Sequence, residues 1–367
     1  MSDPKPLDLD SILASSLTLQ ASDIILKPGS LPTLRVNGRV QALGKVPLPG
    51  GVLSAFFDLM ATHRARTLFE SDGEVDFAFE RPGLARFRVN AFRQMGQVAL
   101  VLRRINENIP SFQSLGLPEK VVQDLCKLQR GLILVTGITG SGKSTSLAAM
   151  IDFMNETMTR HIVTIEDPVE FLHRDKQCIV NQREIGLDTR TFSTAMKHVV
   201  RESPDVILIG EMRDTETMEA AITAAETGHL VLSTLHTVNA VQTIERVLNF
   251  FPPHQHGLVR QQVALVLGGV MSQRLVRRKD GQGRVPAVEI MLGTPTVKEL
   301  LAEGKTSELT KAISEERTYF GSQTFAQGLL DLIHNDLVEL EDAVAASDDP
   351  EELRMNLRGI RRGTRFS

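Results

Sequence analysis

Nine consecutive residues, Gly137, Ile138, Thr139, Gly140, Ser141, Gly142, Lys143, Ser144 and Thr145, have the spacing of a phosphate-binding loop: glycine, four residues, then Gly-Lys-Ser. Glycine at 137, 140 and 142 lets backbone N–H groups turn inward around phosphate oxygens. Lys143 is placed to reach the β- and γ-phosphates, and Ser144 offers a hydroxyl to Mg²⁺. The helix that opens here adds the positive end of its dipole. The flanks agree, because the apolar run "GLILVT" leads in and "STSLAAMIDFM" leads out with helical character. A chance glycine-rich turn would need neither. The implied ligands are ATP and Mg²⁺.

Hydrolysis also needs acids and a positive charge. "VILIGEMRD", Val206 to Asp214, has the apolar strand that usually ends in a metal-holding Asp, but Gly210 stands there and Glu211 follows. In open α/β sheets, ligands sit outside the carboxyl ends of the strands. Glu166 and Asp167 follow "IVTI", Glu211 follows "VILI", and His236 follows "LVLSTL", so all four are expected at the edge that carries the loop. One of Glu166 and Glu211 orients or deprotonates the attacking water and the other helps to hold Mg²⁺; the sequence leaves the assignment open. Asp167, ahead of Pro168, reads either as a further metal-side carboxylate or as a turn cap.

Asp205 cannot serve, since a strand of six residues sets it roughly 20 Å from Glu211. His229 and His236 flank one strand at a similar separation of roughly 20 Å, which excludes a shared zinc. His254 and His256 read as a solvated turn. Candidates for positive charge at the γ-phosphate are Arg86 and Arg88 in "ARFRVNAF", with Arg103 and Arg104 in "VLRRI". Arg86 and Arg88 would share one strand face. The same arginines could also simply be a charged surface.

The elements that must position these groups fall into two patterns. Residues 7–20 have helical spacing, and "ASDIILKPG", "TLRVNGRVQAL", "EVDFAFE", "ARFRVNAFRQ" and "QVALVLRRI" read as strands, so residues 1–105 are expected to form a small α+β domain. Residues 106–118, with Pro110, Gly116 and Pro118, read as a linker. Residues 119–345 then alternate short apolar runs (131–137, 161–167, 205–211 and 229–236) with helical stretches, the pattern of a parallel sheet covered on both faces. From about residue 250 the chain reads mostly helical, with a loop at "RRKDGQGRVP". A tail, 346–367, carries Arg354, Arg358, Arg361, Arg362 and Arg365.

Composition narrows the class. A length of 367 residues suits two domains, and a net charge of −4 with no Trp and one Tyr gives no reason to expect a nucleic-acid partner. Two scattered cysteines, Cys126 and Cys178, form neither a disulfide framework nor a zinc quartet and suit a reducing cytoplasm. The start "MSDPKPLDLD" does not read as a signal peptide, and no apolar run reaches the roughly 18 residues of a membrane span. Work at a membrane would go through a partner.

With these residues laid out, the chain resembles the hexameric secretion-superfamily ATPases, specifically the type IV pilus retraction ATPases of the PilT/PilU kind. The resemblance rests on "ASDIIL", "LRVNGRV", "ARFRVNAF", the phosphate loop, "TIEDPVEF", "CIVNQREIG", "PDVILIGEMRD" and "AAETGHLVLSTLHT". Glycine in place of the second-motif Asp is itself this superfamily's form. The resemblance implies a PAS-like N-terminal domain followed by a RecA-like P-loop domain with a helical C-terminal region, assembled as a homo-hexameric ring with nucleotide between the domains. It assigns Glu166 to an acidic box, Glu211 to the second Walker motif, and His229 and His236 to a His box. Arg88 and Arg103 match the arginines that approach the γ-phosphate. It further implies a cytoplasmic location at the inner face of the inner membrane, with a membrane platform protein as partner.

Where principal retraction motors carry a motif close to Ala-Ile-Arg-Asn-Leu-Ile-Arg-Glu, this chain has "TVKELLAE", 296–303, with neither Arg. The tail "DDPEELRMNLRG" resembles the PilU extension. Both departures lean toward a PilU-like accessory motor working with a PilT-type partner, the principal motor being the alternative. Other readings are a pilus-assembly or type II secretion ATPase, which typically carries a four-cysteine zinc module, a nucleic-acid motor on the same core, and a non-hydrolysing ring subunit.

Overall fold

Alternation builds the first unit. Along the strand Ala85–Gln94, Ala85, Phe87, Val89 and Ala91 are buried while Arg86, Arg88 and Asn90 between them are only partly so, the period of a sheet with one face on a core. The computed structural model describes residues 6–36, 38–105 and 108–357, in two units, 1–107 and 108–367. The first unit holds β1 (Asp23–Leu26), β2 (Thr33–Val36), β3 (Arg39–Ala42), β4 (Glu74–Arg81), β5 (Ala85–Gln94) and β6 (Gln97–Arg104). They pair antiparallel throughout in the order β3-β2-β1-β6-β5-β4. Helices Leu9–Thr18, Gly50–Met60 and His63–Asp72 supply Ile12, Leu13, Phe57 and Phe69 to the same core as Phe87 and Leu102. The stretch 33–43, read as one strand segment, is a hairpin of two.

In the second unit the strands are apolar on both faces: β7 (Gly131–Thr136), β10 (Val206–Ile209) and β11 (Leu230–Leu235) are buried at every residue. They join β8 (His161–Glu166), β9 (Ile179–Glu184), β12 (Leu267–Arg277) and β13 (Arg284–Leu292) in the order β13-β12-β7-β11-β10-β8-β9. Alternate residues of β7 feed two cores. Leu132 and Leu134 meet helices Thr215–Glu226 and Ala240–Leu248 on one face. Ile133 and Val135 meet Leu147, Met150 and Met154 of the helix Lys143–Thr157 on the other. Each such Leu or Ile contributes about 1.5–3 kcal/mol when fully buried.

Two corrections follow. The region after 250 is mostly helical, as expected, but among its helices β12 and β13 form a long antiparallel pair that was not expected, so the sheet is parallel only from β12 to β9. Helical spacing runs without a polar break out of the helix His256–Val266 into β12, and Gly268–Gly269 mark the change. A Cβ on Gly268 would stand 2.8 Å from Leu128 Cδ1, so the bare backbone is what lets β12 lie under that side chain. The second correction concerns the expected linker. The chain is already docked on the second unit at the helix Phe112–Leu115, where Phe112 is buried with its ring centroid 5.5 Å from that of Phe153. Residues 106 and 107 lie outside the described residues.

The tail begins as structure too. Helices Phe325–His334, Leu340–Ala346 and Pro350–Leu357 share a core with Val276 and Val285 of the β12–β13 pair, and Leu353 is fully buried in it. Arg354 pairs with Glu351 at 3.1 Å. Arg358, Arg361, Arg362 and Arg365 lie outside the described residues.

Candidate functional site

The loop after β7 is shaped by what has no room. At Gly137, φ is 143° and a Cβ would stand 2.5 Å from both the Gln273 carbonyl oxygen and Ser141 Oγ, so no other residue fits. Gly142, at φ 93°, caps the helix Lys143–Thr157 in the left-handed region. Lys143 is buried, and its Nζ donates to the Gly137 and Ile138 carbonyls at 2.8 and 3.1 Å. Burial pushes its pKa down, and the charges of Glu211 and Glu170 pull it back up. The lysine thus holds its own loop closed around a cation that anionic phosphate would complement.

A cleft of about 640 Å³ opens here, within the usual range of small-molecule sites. Thr139, Gly140, Gly142, Lys143, Ser144 and Thr145 form one wall; Glu166, Asp167, Gly210, Glu211 and His236 line the other. The four strand-end groups expected together are therefore together. Gly137, Ile138 and Ser141 are not on the wall: Gly137 and Ile138 shape the loop through the Lys143 bonds, the Ser141 N–H donates to the Ile138 carbonyl at 3.2 Å, and Ser141 Oγ is buried without a hydrogen-bond partner.

The two glutamates differ in surroundings. Glu166 is buried deeply enough that its carboxyl is pushed above the ordinary range, although Thr164 Oγ1 at 2.6 Å and Gln182 Nε2 at 3.2 Å donate to it. Burial also acts on Glu211, but Arg213 Nη2 at 2.8 Å and His236 Nε2 at 3.2 Å outweigh it and hold this carboxyl below the ordinary range. One acid is kept ready to take a proton and the other to stay charged.

Sequence reasoning missed Glu170, whose Oε1 accepts from Ser144 Oγ at 3.1 Å. Its position inside "EDPVEF", four residues after Glu166, was the available signal. It also missed Gln182 and Arg213, which set the two glutamates apart. Ser144, Asp167, Glu170 and Glu211 are hard oxygen donors, the set that suits Mg²⁺ with substrate phosphates. Among the described residues no three His, Cys, Asp or Glu side chains form a metal cage.

One expectation ends elsewhere. His229 stands before β11, at the opposite end of the strand from His236, with Nδ1 2.9 Å from the Ala224 carbonyl oxygen. It is not in the cleft, because six strand residues separate the two ends. Arg88 and Arg103 belong to the first unit, directly opposite one another on β5 and β6. Arg103 Nε donates to the buried Asp23 at 2.9 Å, and Arg88 Nε lies 3.4 Å from Asp76 Oδ1.

A family model described as "Type II/IV secretion system protein" matches residues 5–346. The type IV pilus ATPase PilU of Pseudomonas aeruginosa is 42% identical over 96% of this chain and 92% of its own length. PilT of the same organism, described as a type IV pilus retraction ATPase, is 45% identical over 94% of this chain and 99% of its own. The crystal structure of the pilus retraction motor PilT with bound ADP matches with a TM-score of 0.87 at 44% identity, covering 95% of this chain and 99% of that one. With a phosphate loop, two environmentally separated glutamates and a histidine gathered in one cleft, the chain belongs to the Type II/IV secretion system protein family and is an ATP-hydrolysing member of it.

Proposed function

We propose that this protein is a hexameric motor of type IV pilus retraction, working in the cytoplasm at the inner face of the inner membrane, with the PilU-like accessory role as the favoured reading. The observation that carries the motor reading is the cleft itself. Lys143 grips phosphate, Glu166 accepts the proton of the attacking water, and Glu211 stays ionised with His236 beside it. Mg²⁺, held through Ser144, Glu211 and Asp167, with Glu170 reaching the Ser144 hydroxyl, would neutralise charge on the phosphates when bound. His229, outside the cleft, is given the bland role of fixing the start of β11.

Arg88 and Arg103 of the proposed PAS-like first unit supply positive charge at the γ-phosphate in this reading. Replacing Arg103 by alanine is expected to lower turnover at least about tenfold with nucleotide binding nearly intact, as removal of an arginine that acts on the transition state does. Turnover equal to the wild type would return Arg103 to a surface role beside Asp23. The platform protein in the membrane is the proposed partner; among the described residues no helix is long and apolar enough to cross a bilayer.

The accessory reading rests on the helix Pro295–Glu303, where Lys298 and Ala302 occupy the positions of the two arginines expected in a principal motor. The principal-motor reading has its own support in the 45% identity to PilT. Gene deletion, with fibre retraction scored alone and together with loss of the principal motor, separates them. The accessory role predicts that this chain by itself does not retract fibres. Full retraction with this chain as the sole motor would establish the principal role instead. Assembly and secretion ATPases with a zinc quartet are disfavoured by the two buried, unpaired cysteines, Cys126 and Cys178.

A further inference from the structure

The segment that follows His236 is held from three sides. Thr237 Oγ1 pairs with Thr243 Oγ1 at 2.7 Å, the Ala240 N–H donates to the buried Glu289 carboxylate at 2.7 Å, and the Val238 carbonyl accepts from Arg274 Nη2 at 3.3 Å. Arg274 is where the tail enters. Its Nη1 donates to the Ala346 carbonyl at 2.8 Å, its Nη2 to Asp348 Oδ2 at 2.6 Å, and its guanidinium stacks on Phe325 with 4.0 Å to the ring centroid.

We infer that Asp348, acting through Arg274, is a positioning residue for His236, so that the first residues of the C-terminal extension set the rate of hydrolysis. A guanidinium is a rigid fork: fixing it on Ala346, Asp348 and Phe325 fixes the direction of the donor that reaches Val238. Val238 is two residues from His236, too few for the imidazole to ignore a shift of that carbonyl. His236 in turn holds Glu211 at 3.2 Å. The chain of contact therefore runs from the tail to the charged acid of the cleft without passing through the phosphate loop. Glu289, caged beside Arg274 and bonded to Ala240, keeps the far end of the segment in place.

Anything that captures residues 346–348 would then alter turnover more than nucleotide affinity. The inference rests on the reading that His236 and Glu211 act in hydrolysis.

The test uses the full-length protein with MgATP turnover and calorimetric ADP binding as readouts. Asp348→Asn, a change at a largely exposed side chain, is expected to lower kcat by about three- to tenfold while KM and ADP affinity stay within about twofold. Arg274→Lys, which keeps the charge but loses the fork, should fall in the same way, and Asp348→Glu should recover most of the rate. If Asp348→Asn matches the wild type while His236→Ala is slow, the positioning role is wrong and the site stands. Equal losses of kcat and ADP affinity in Asp348→Asn would mean general loosening and also overturn it. Undiminished turnover in His236→Ala would remove the reading beneath it.

Discussion

Lys143→Ala is expected to abolish ATP turnover, a loss of at least about a hundredfold in kcat, in a protein that still folds. The magnitude follows from what the ammonium does: a fixed positive charge in a partly dry cleft is worth about two to three orders of magnitude when aimed at charge that grows in the transition state. The Nζ is poised for that work by its bonds to the Gly137 and Ile138 carbonyls, which hold it within its own loop. Burial already lowers its pKa, so the folded chain carries this charge at a cost, and removing it sacrifices two hydrogen bonds without opening a core. Thermal unfolding of the variant in the absence of nucleotide should therefore stay close to the wild type while MgATP affinity drops. Unchanged turnover in the purified variant would refute the site.

That lysine was legible because the motif that carries it is local. A tight turn, left-handed backbone at Gly137 and Gly142 and a helix start at Lys143 need only adjacent residues, whereas the Gln273 carbonyl packed against Gly137 could not be read there. The gathering of Glu166, Asp167, Glu211 and His236 was legible too, since the carboxyl ends of parallel strands share one edge. What the sequence withheld depends on register. Gln182 reaches Glu166 because β8 and β9 align Thr164 with Gln182, a pairing across 18 residues that no local pattern announces.

Asp23 meets Arg103 because β1 and β6 place them opposite across 80 residues. The strands β12 and β13 were hidden for another reason. A strand buried on both faces has no alternation to read, and β12 begins where a helix stops with no turn between. Arg274 inherits that blindness: in a presumed helix it could not be aimed at Val238, nor Asp348 at Arg274.

Glu166→Gln is the second large effect, and it separates chemistry from binding. With Thr164 and Gln182 still able to donate to the amide oxygen, the variant keeps the shape of the cleft and Lys143 keeps its grip, so MgATP should bind at near wild-type affinity. Loss of a proton acceptor in place costs about 10²- to 10⁴-fold in rate. The same substitution should leave the fold more stable at neutral pH. The raised carboxyl pKa means that the folded chain binds this proton more tightly than the unfolded one. Stability from it is thus present below the ordinary pKa of 4.5 and is lost as pH rises through the raised value.

Glutamine undergoes no such loss. Melting curves across pH should show Glu166→Gln above the wild type at neutral pH, with the gap closing on acidification. Glu211, held below the ordinary range, should behave in the opposite sense: Glu211→Gln loses the stability supplied by Arg213 and His236 at neutral pH. Should the two variants shift melting in the same direction, the two acids would not be divided as their surroundings imply, and the assignment of Glu166 as the base would have to be abandoned.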